Sequence, residues 1–291
     1  MLSLLDIFCP IDDFCQETLP QMQAHQLLPK GARQRQRSLC PSEIITILVA
    51  FQLSGYRDFK TFYTACICKN HRAEFPGLVS YNRFIEFVPS VLILMYAFLQ
   101  TRLGKCTGIS FLDSTKLEAC HDARRKSYKT LAGLAARGKT STGWFFGFKL
   151  HLIFNDCGEL LDFRLTPGNI DDRKPVPDLL KKIIGKVYAD KGYVSQALFE
   201  TLFDQGVELI TKRKKGMKPA LMRYWDRLML RKRALVETII DQLKNICQVE
   251  HTRHRAACGF LSNVFAALTA YCFLPKKPSL HLREGLKKAT A

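Results

Sequence analysis

The chain has 291 residues, 47% of them apolar and 24% charged, which excludes a peptide-sized scaffold, a wholly disordered chain and a multispan membrane protein. Its 44 Lys and Arg outnumber its 26 Asp and Glu and leave a net charge of +18. Such a charge favours polyanions, nucleic acid or an anionic lipid surface, over small neutral molecules as partners.

The first hundred residues show helical periodicity and no strong strand signal. The segment Pro41–Leu53 predicts a helix that stops before Gly55. Aromatic residues from Phe59 onward continue at helical spacing. Ser80 opens a further stretch that Pro89 is expected to interrupt. The basic run at 30–37 suits a phosphate-binding arm or a solvated loop with about equal weight.

The amino terminus and the cysteines indicate the compartment. The first residues carry acids where a secretory leader would carry Lys or Arg. Apolar stretches at 91–99 and 260–274 are shorter than the roughly 20 residues that cross a bilayer, so buried helices and no membrane contact are expected. The eleven cysteines are scattered without a CxxC pair, which predicts reduced thiols in the cytoplasm.

After about residue 108 the pattern changes to short apolar runs separated by turns. Three strands are predicted, at 108–115, 145–154 and 159–166. The turn Asn155–Gly158 between the last two predicts an antiparallel hairpin.

The segments that follow alternate between helix and strand. Helices are predicted at 176–185, 195–206 and 224–249, and strands at 186–190 and 207–211. The order β-β-β-α-β-α-β-α is that of an α/β, RNase H-like mixed sheet. The predicted division is a helical DNA-binding region at 1–105, a catalytic domain at 106–250 and a helical tail at 251–291.

Three acids stand on three of these elements. Asp113 lies among apolar residues in the first strand, where a carboxylate needs a cation to satisfy it. Asp190 ends a later strand, and Glu237 lies near the apolar face of the last helix. Carboxylates are ligands of hard divalent ions, and two such ions can hold a phosphodiester for in-line attack. For any one acid alone, an ordinary surface charge is the better reading, and only the set of three favours catalysis.

Cations accompany the last acid along the helix. Arg233, Glu237, Asp241 and Lys244 follow at steps of four, four and three, on one stripe. The stripe suits either an ordinary ladder of ion pairs or cations that contact phosphates.

In these residues the sequence resembles the DDE transposases of bacterial insertion sequences. The motifs are Asp113 in FLDST, Asp190 in ADKGY, and Glu237 with Arg233 four residues before it and Lys244 seven after. The family signature normally has Tyr three residues before the arginine, whereas this chain has Leu230. The segments TPGNIDD at 166–172, LSGYRDFKTFY at 53–63 and LVSYNRF at 78–84 extend the resemblance over most of the chain.

The resemblance implies a function and a cofactor. It implies a transposase that binds terminal inverted repeats in double-stranded DNA, cleaves strands and joins the 3′-hydroxyls to target DNA. It implies Asp113, Asp190 and Glu237 as ligands of two Mg²⁺ ions, with Mn²⁺ as an alternative. A homodimer on DNA, in the cytoplasm of a prokaryote and associated with the nucleoid, is expected with it.

Two basic clusters suit DNA. Ten Lys or Arg fall within 212–233, and six fall within 124–139. The predicted DNA-contacting residues are Lys212, Arg213, Lys214, Lys215, Trp225, Arg233 and Lys244. A solvated loop is the competing interpretation for either cluster.

Other functions stay open at this point. An RNase H-like nuclease or resolvase would cut without joining, and a domesticated protein would bind DNA without catalysis. The pattern Cys66-x-Cys68-x-x-His71 has zinc-ligand residue types but lacks a second pair at the right spacing. The sequence contains no P-loop motif, so dependence on ATP is not expected.

Overall fold

The computed structural model describes residues 2–24, 38–140, 143–212, 216–217, 221–250, 254 and 256–282. By its contacts the chain forms two units. The first contains residues 1–102, 245–249 and 254–273, and the second contains 103–244, 250–253 and 274–291. The region predicted as a carboxyl-terminal tail thus contributes residues 254–273 to the first unit.

The described part of the first unit is helical, as the periodicity predicts. Its helices are α1 (Leu4–Ala24), α2 (Pro41–Leu53), α3 (Phe59–Thr61), α4 (Cys68–Asn70), α5 (Tyr81–Thr101) and α10 (Ala257–Phe273), with π-helical turns over Phe62–Ile67. Helix α2 has the predicted bounds, and its first turn is capped because the Cys40 backbone N–H donates to Glu43 at 2.7 Å.

Helix α5 corrects one expectation, because Pro89 lies inside it without breaking it. The proline removes one backbone hydrogen bond, but apolar residues on both sides of it are buried in the same core, where α5 packs on α2 and α10. The Ser80 hydroxyl caps the helix by accepting from Arg83 N–H. The stretch at 91–99, expected to be too short to cross a bilayer, is part of this 21-residue helix, which by length and apolar composition alone could cross a membrane. One face of α5 is buried within the unit.

The second unit is built on a mixed sheet. Its described strands are β1 (Ile109–Cys120), β2 (Ala136–Thr140), β3 (Gly143–Asn155), β4 (Leu160–Pro167), β5 (Gly185–Ala189) and β6 (Val207–Thr211). The strand order is β2-β3-β1-β5-β6, with β4 also paired to β3. Strands β1, β3 and β4 are antiparallel, whereas β1, β5 and β6 are parallel. The RNase H-like arrangement is therefore confirmed, and β2 is an added strand that the sequence did not predict.

The hairpin between β3 and β4 forms as expected. Asn155 and Glu159 join across the turn by a backbone hydrogen bond of 3.0 Å. Gly158 has φ of 74°, a conformation that few other residues adopt without strain. The Asn155 side chain accepts from the N–H groups of Cys157 and Glu159, which fixes the turn.

Two predicted helices are shorter than expected. Helix α6 (Val176–Leu179) ends early, although Leu180 and Ile183 are buried as the pattern predicts, because tighter turns carry the chain on to Gly185. The single helix expected at 224–249 is two helices, α8 (Tyr224–Lys232) and α9 (Ala234–Asn245), which follow α7 (Gln196–Asp204). The apolar pattern continues through the break at Arg233, so periodicity could not reveal it.

A buried acid anchors α8 to the sheet. Asp226 is 4% exposed, and its carboxylate accepts from Lys186 Nζ at 2.7 Å and Tyr188 Oη at 2.9 Å, both on β5. Burial acts to raise the pKa of Asp226, but these two donors outweigh it and the pKa is lowered. The one acid in the basic run 212–233 is thus a structural residue.

Replacing Asp226 by Ala should destabilise the protein. Lys186 and Tyr188 would lose their buried acceptor, and we expect the free energy of unfolding to fall by about 2 kcal/mol in urea titrations. The control is Asp204→Ala, which replaces an acid at the end of α7. This substitution should change the free energy of unfolding by less than about 0.5 kcal/mol. Equal stability of the two variants would contradict this role of Asp226.

Candidate active site

Parallel pairing brings the first two acids together. Strands β1 and β5 run side by side in register, with Leu112 opposite Ala189. Asp113 follows Leu112 within β1 and Asp190 follows Ala189 at the end of β5, so the two residues lie side by side where the parallel pairing ends. Asp190 comes directly after β5 and begins the short 3₁₀ turn Lys191–Tyr193.

One guanidinium joins all three acids. Arg233 Nη1 lies 2.9 Å from Asp113 Oδ2, and its Nη2 lies 4.0 Å from Asp190 Oδ1 and 3.7 Å from Glu237 Oε1. The Arg233 side chain is only 11% exposed, whereas that of Glu237 is 68% exposed. Residues 113, 190 and 237 therefore converge in space, although 77 and 47 positions separate them along the chain.

The environment of Asp113 opposes its ionisation. Burial raises the pKa of the Asp113 carboxyl, although the Arg233 guanidinium and the Ser114 backbone N–H both favour the charged form. The nearby Asp190 carboxylate raises the pKa further. A partly buried carboxylate of this kind gains stability from any additional positive charge placed beside it.

Sequence comparison now gives the family. A family model described as "Transposase DDE domain" matches residues 103–257, more than half of the chain. The chain belongs to the DDE transposases. No curated protein sequence matches this transposase closely enough to count as a relative.

The chain was also compared with solved structures. The cryo-EM structure of a piggyBac transposase synaptic complex with hairpin DNA aligns with a TM-score of 0.51 and 9% identity, over 92% of this chain and 73% of that one. A crystal structure of the Mos1 mariner paired-end complex with Mn aligns with a TM-score of 0.25 and 11% identity, over 88% and 85%. At such identities, the piggyBac likeness supports the fold alone.

DDE transposases use divalent metal ions, and the donor chemistry of this transposase fits such an ion. The three convergent groups are carboxylates, which hard cations prefer, and one positive charge already reaches all three. In the described part of the chain, no three Asp, Glu, His or Cys side chains stand together at metal-ligand spacing. The Arg233 guanidinium is instead the cation that lies within 4.0 Å of each of the three carboxyl groups.

The predicted DNA-contacting residues are spread around this unit. Lys212 is exposed just after β6, and Trp225 is 44% exposed on α8. Lys244, in the last turn of α9, pairs with Glu250 at 2.9 Å. Arg233 faces the acids rather than solvent. The predicted residues Arg213, Lys214 and Lys215, and the basic run at 30–37, lie outside the described residues.

The departure from the family signature has a packing explanation. Leu230 stands where the signature has Tyr, and it is 5% exposed. Its apolar side chain contributes to the core beside Met229 on α8. At this position the chain therefore buries a leucine instead of presenting a hydroxyl.

A polar pair beside the acids was missed from the sequence. His151, on β3 opposite Ser114, is fully buried, and its Nε2 lies 2.8 Å from Thr166 Oγ1. Thr166 opens the TPGNIDD segment, whose Asp172 pairs with Lys149 Nζ at 3.0 Å. The neighbouring Asp171 binds the guanidinium and backbone N–H of Arg173. The sequence signal for this set was an alternation on β3 that places Lys149 and His151 on one face.

His151 should make stability depend on pH. Burial lowers the pKa of His151 to about 4, below the value of about 6.5 in an unfolded chain. The unfolded state therefore binds more protons between these pH values, and stability is lost as pH falls from 6.5 to 4. The loss from this residue is about 3 kcal/mol. The free energy of unfolding, measured by urea titration at several pH values in this range, should fall less steeply with decreasing pH in His151→Gln than in the unaltered protein. An equal dependence on pH in the two proteins would contradict this role of His151.

Proposed function

We propose that this transposase cleaves DNA at the ends of a mobile element and joins the freed 3′-hydroxyls to target DNA. In this proposal Asp113, Asp190 and Glu237 are the ligands of two Mg²⁺ ions, with Mn²⁺ as an alternative. The observation that carries it is the convergence of these three carboxyl groups, from within β1, from the residue after β5 and from helix α9, within 4.0 Å of one guanidinium. Bound divalent ions would supply an activated attacking oxygen and a stabilised leaving oxygen.

The residues of the chain divide the remaining work. Asp113 is held in place by Arg233 and by Ser114 N–H, so it offers a ligand oxygen at a fixed position. Glu237 is exposed in the first turn of α9, so its side chain can turn toward or away from the site. Arg233 balances the negative charge of the three acids and, in the proposal, transfers part of that attraction to the substrate phosphate.

The basic residues supply the DNA contacts in this proposal. Lys212, Trp225 and Lys244, together with the run 213–215, would bind the terminal inverted repeats. Exposed cations contact phosphates irrespective of base sequence, and an exposed indole offers a surface on which a base can stack. A homodimer would hold two element ends at once. We place this protein in the prokaryotic cytoplasm, on the nucleoid, as the product of a bacterial insertion sequence.

A strand-transfer assay tests the proposal. Purified protein is incubated with labelled duplexes that carry the ends flanking its gene, with a circular target DNA and with Mg²⁺, Mn²⁺ or EDTA. We expect metal-dependent nicking at the element end and covalent joining to the circle. Nicking without joining would identify a nuclease or resolvase, and the absence of metal-dependent nicking would contradict the enzymatic proposal.

A further inference from the structure

The unpredicted strand β2 forms a hairpin with the start of β3 that carries an exposed tryptophan. Lys139 lies opposite Trp144 in the register, and Arg137 lies opposite Phe146. Trp144 is 53% exposed, so its indole is not part of the core.

Contacts within the hairpin hold this indole in place. The Arg137 guanidinium lies 4.1 Å from the centre of the Trp144 ring, and Lys139 Nζ lies 5.6 Å from it. Arg137 is itself fixed by Asp122, which accepts from its Nε at 3.1 Å and its Nη2 at 2.9 Å. A two-bond clamp of this kind orients the guanidinium plane. The indole is therefore prearranged, and half of its surface still faces solvent.

Two cations, Arg137 and Lys139, lie beside the indole ring. Further along the same 124–139 segment Arg124, Lys126 and Lys129 are exposed, so the segment is strongly basic. Cations beside an open aromatic ring match a nucleic acid, which offers a phosphate and a π face in each nucleotide. Within a duplex both faces of each base are covered by stacked neighbours. An unpaired base is the partner whose face is free.

We propose that Trp144, oriented by Arg137 and Asp122, is a stacking platform for an unpaired DNA base. This inference rests on the proposed DNA-cleaving function and adds a second contact point for its substrate. Trp144 is eight residues along β3 from Leu152, the register partner of Asp113, which is about 27 Å of strand. DNA that follows the strand would place the stacked base about eight nucleotides from the cleaved bond.

The test uses element-end DNA that carries an unpaired 2-aminopurine at single positions 4 to 12 nucleotides from the cleavage site. The full-length protein should quench its fluorescence most strongly near position 8. Trp144→Ala should remove the quenching and raise the Kd for this DNA by about 5- to 100-fold. Trp144→Phe should retain most of the quenching and most of the affinity, because a phenyl ring still stacks on a base. Leu134→Ala, a change at another exposed apolar residue of the segment, is the control.

The same variants are measured on the fully paired DNA, where Trp144→Ala should change the Kd by less than about twofold. Equal losses on paired and unpaired DNA, or no loss on either, would overturn the stacking platform. Metal-dependent cleavage by the unaltered protein is recorded in parallel. Cleavage with no role for Trp144 would refute only this inference, whereas absence of cleavage would refute the proposed function.

Discussion

Replacing Asp113 by Asn should reduce DNA strand cleavage by about 10³-fold or more, while DNA binding is retained. The amide keeps the size of the side chain and one acceptor oxygen, which can accept from Ser114 N–H or from Arg233, the two groups that bind different oxygens of the carboxylate. It loses the negative charge that a divalent ion requires, and metal-assisted charge stabilisation is worth several kcal/mol. The measurement is single-turnover cleavage of a labelled element end at saturating protein, with binding followed by anisotropy.

Asp162 provides a matched control for this substitution. Like Asp113, it is a strand residue whose carboxyl accepts from the next backbone N–H, and burial raises its pKa. It lies on β4, apart from the acid cluster. Asp162→Asn should therefore leave the cleavage rate within about twofold of the original. Equal rates for Asp113→Asn and the unaltered protein would remove Asp113 from the catalytic set.

Replacing Arg233 by Gln should destabilise the metal-free protein by about 3 kcal/mol at neutral pH. Asp113 and Arg233 are both largely buried, and removal of the guanidinium leaves a partly buried carboxylate facing two further acids. The measurement is urea unfolding in EDTA. Lys244→Gln breaks a more exposed pair with Glu250 and should cost less than about 1 kcal/mol.

The pH dependence of this difference has a defined sign. The folded-state pKa of Asp113 is raised, so protonation of Asp113 stabilises the folded state, and that stability is lost as pH rises through the folded pKa. Loss of the guanidinium should raise this pKa further. The destabilisation by Arg233→Gln should therefore shrink as pH falls through the raised pKa of Asp113, because a neutral Asp113 no longer needs the guanidinium. A difference that stays constant from pH 8 to pH 4 would contradict a direct Arg233 and Asp113 pair.

Much of the catalytic unit was predictable because its signals are local. The strand at Asp113, the hairpin turn Asn155–Gly158 and the strand that ends before Asp190 each rest on a short alternating run or a turn residue. The sequence placed Asp113 and Asp190 on two strands, and their convergence was a hypothesis that rested on the set of three acids and on the family resemblance. The parallel pairing of β1 with β5, which sets the two residues side by side, was not predicted.

Other features depend on contacts between distant residues, which periodicity does not contain. The break at Arg233 lies within a continuous apolar pattern, and the guanidinium position depends on Asp113, 120 residues earlier. Strand β2 consists of ARGKT, which has no apolar alternation and pairs through its backbone. The spacing allowed either phosphate contacts or an ion pair of Arg233 with Glu237, and the structure has that ion pair. The pairing of Arg233 with Asp113 and Asp190 requires the three-dimensional arrangement.

A crystal structure grown with Mn²⁺ and element-end DNA, with anomalous diffraction recorded at the manganese edge, tests the central claim most directly. Two anomalous peaks should lie among the carboxyl groups of Asp113, Asp190 and Glu237, with the Arg233 guanidinium displaced from between them. Anomalous peaks found only at other residues would contradict a shared metal site. So would an Arg233 guanidinium that still pairs with the three carboxyl groups when DNA and metal are bound.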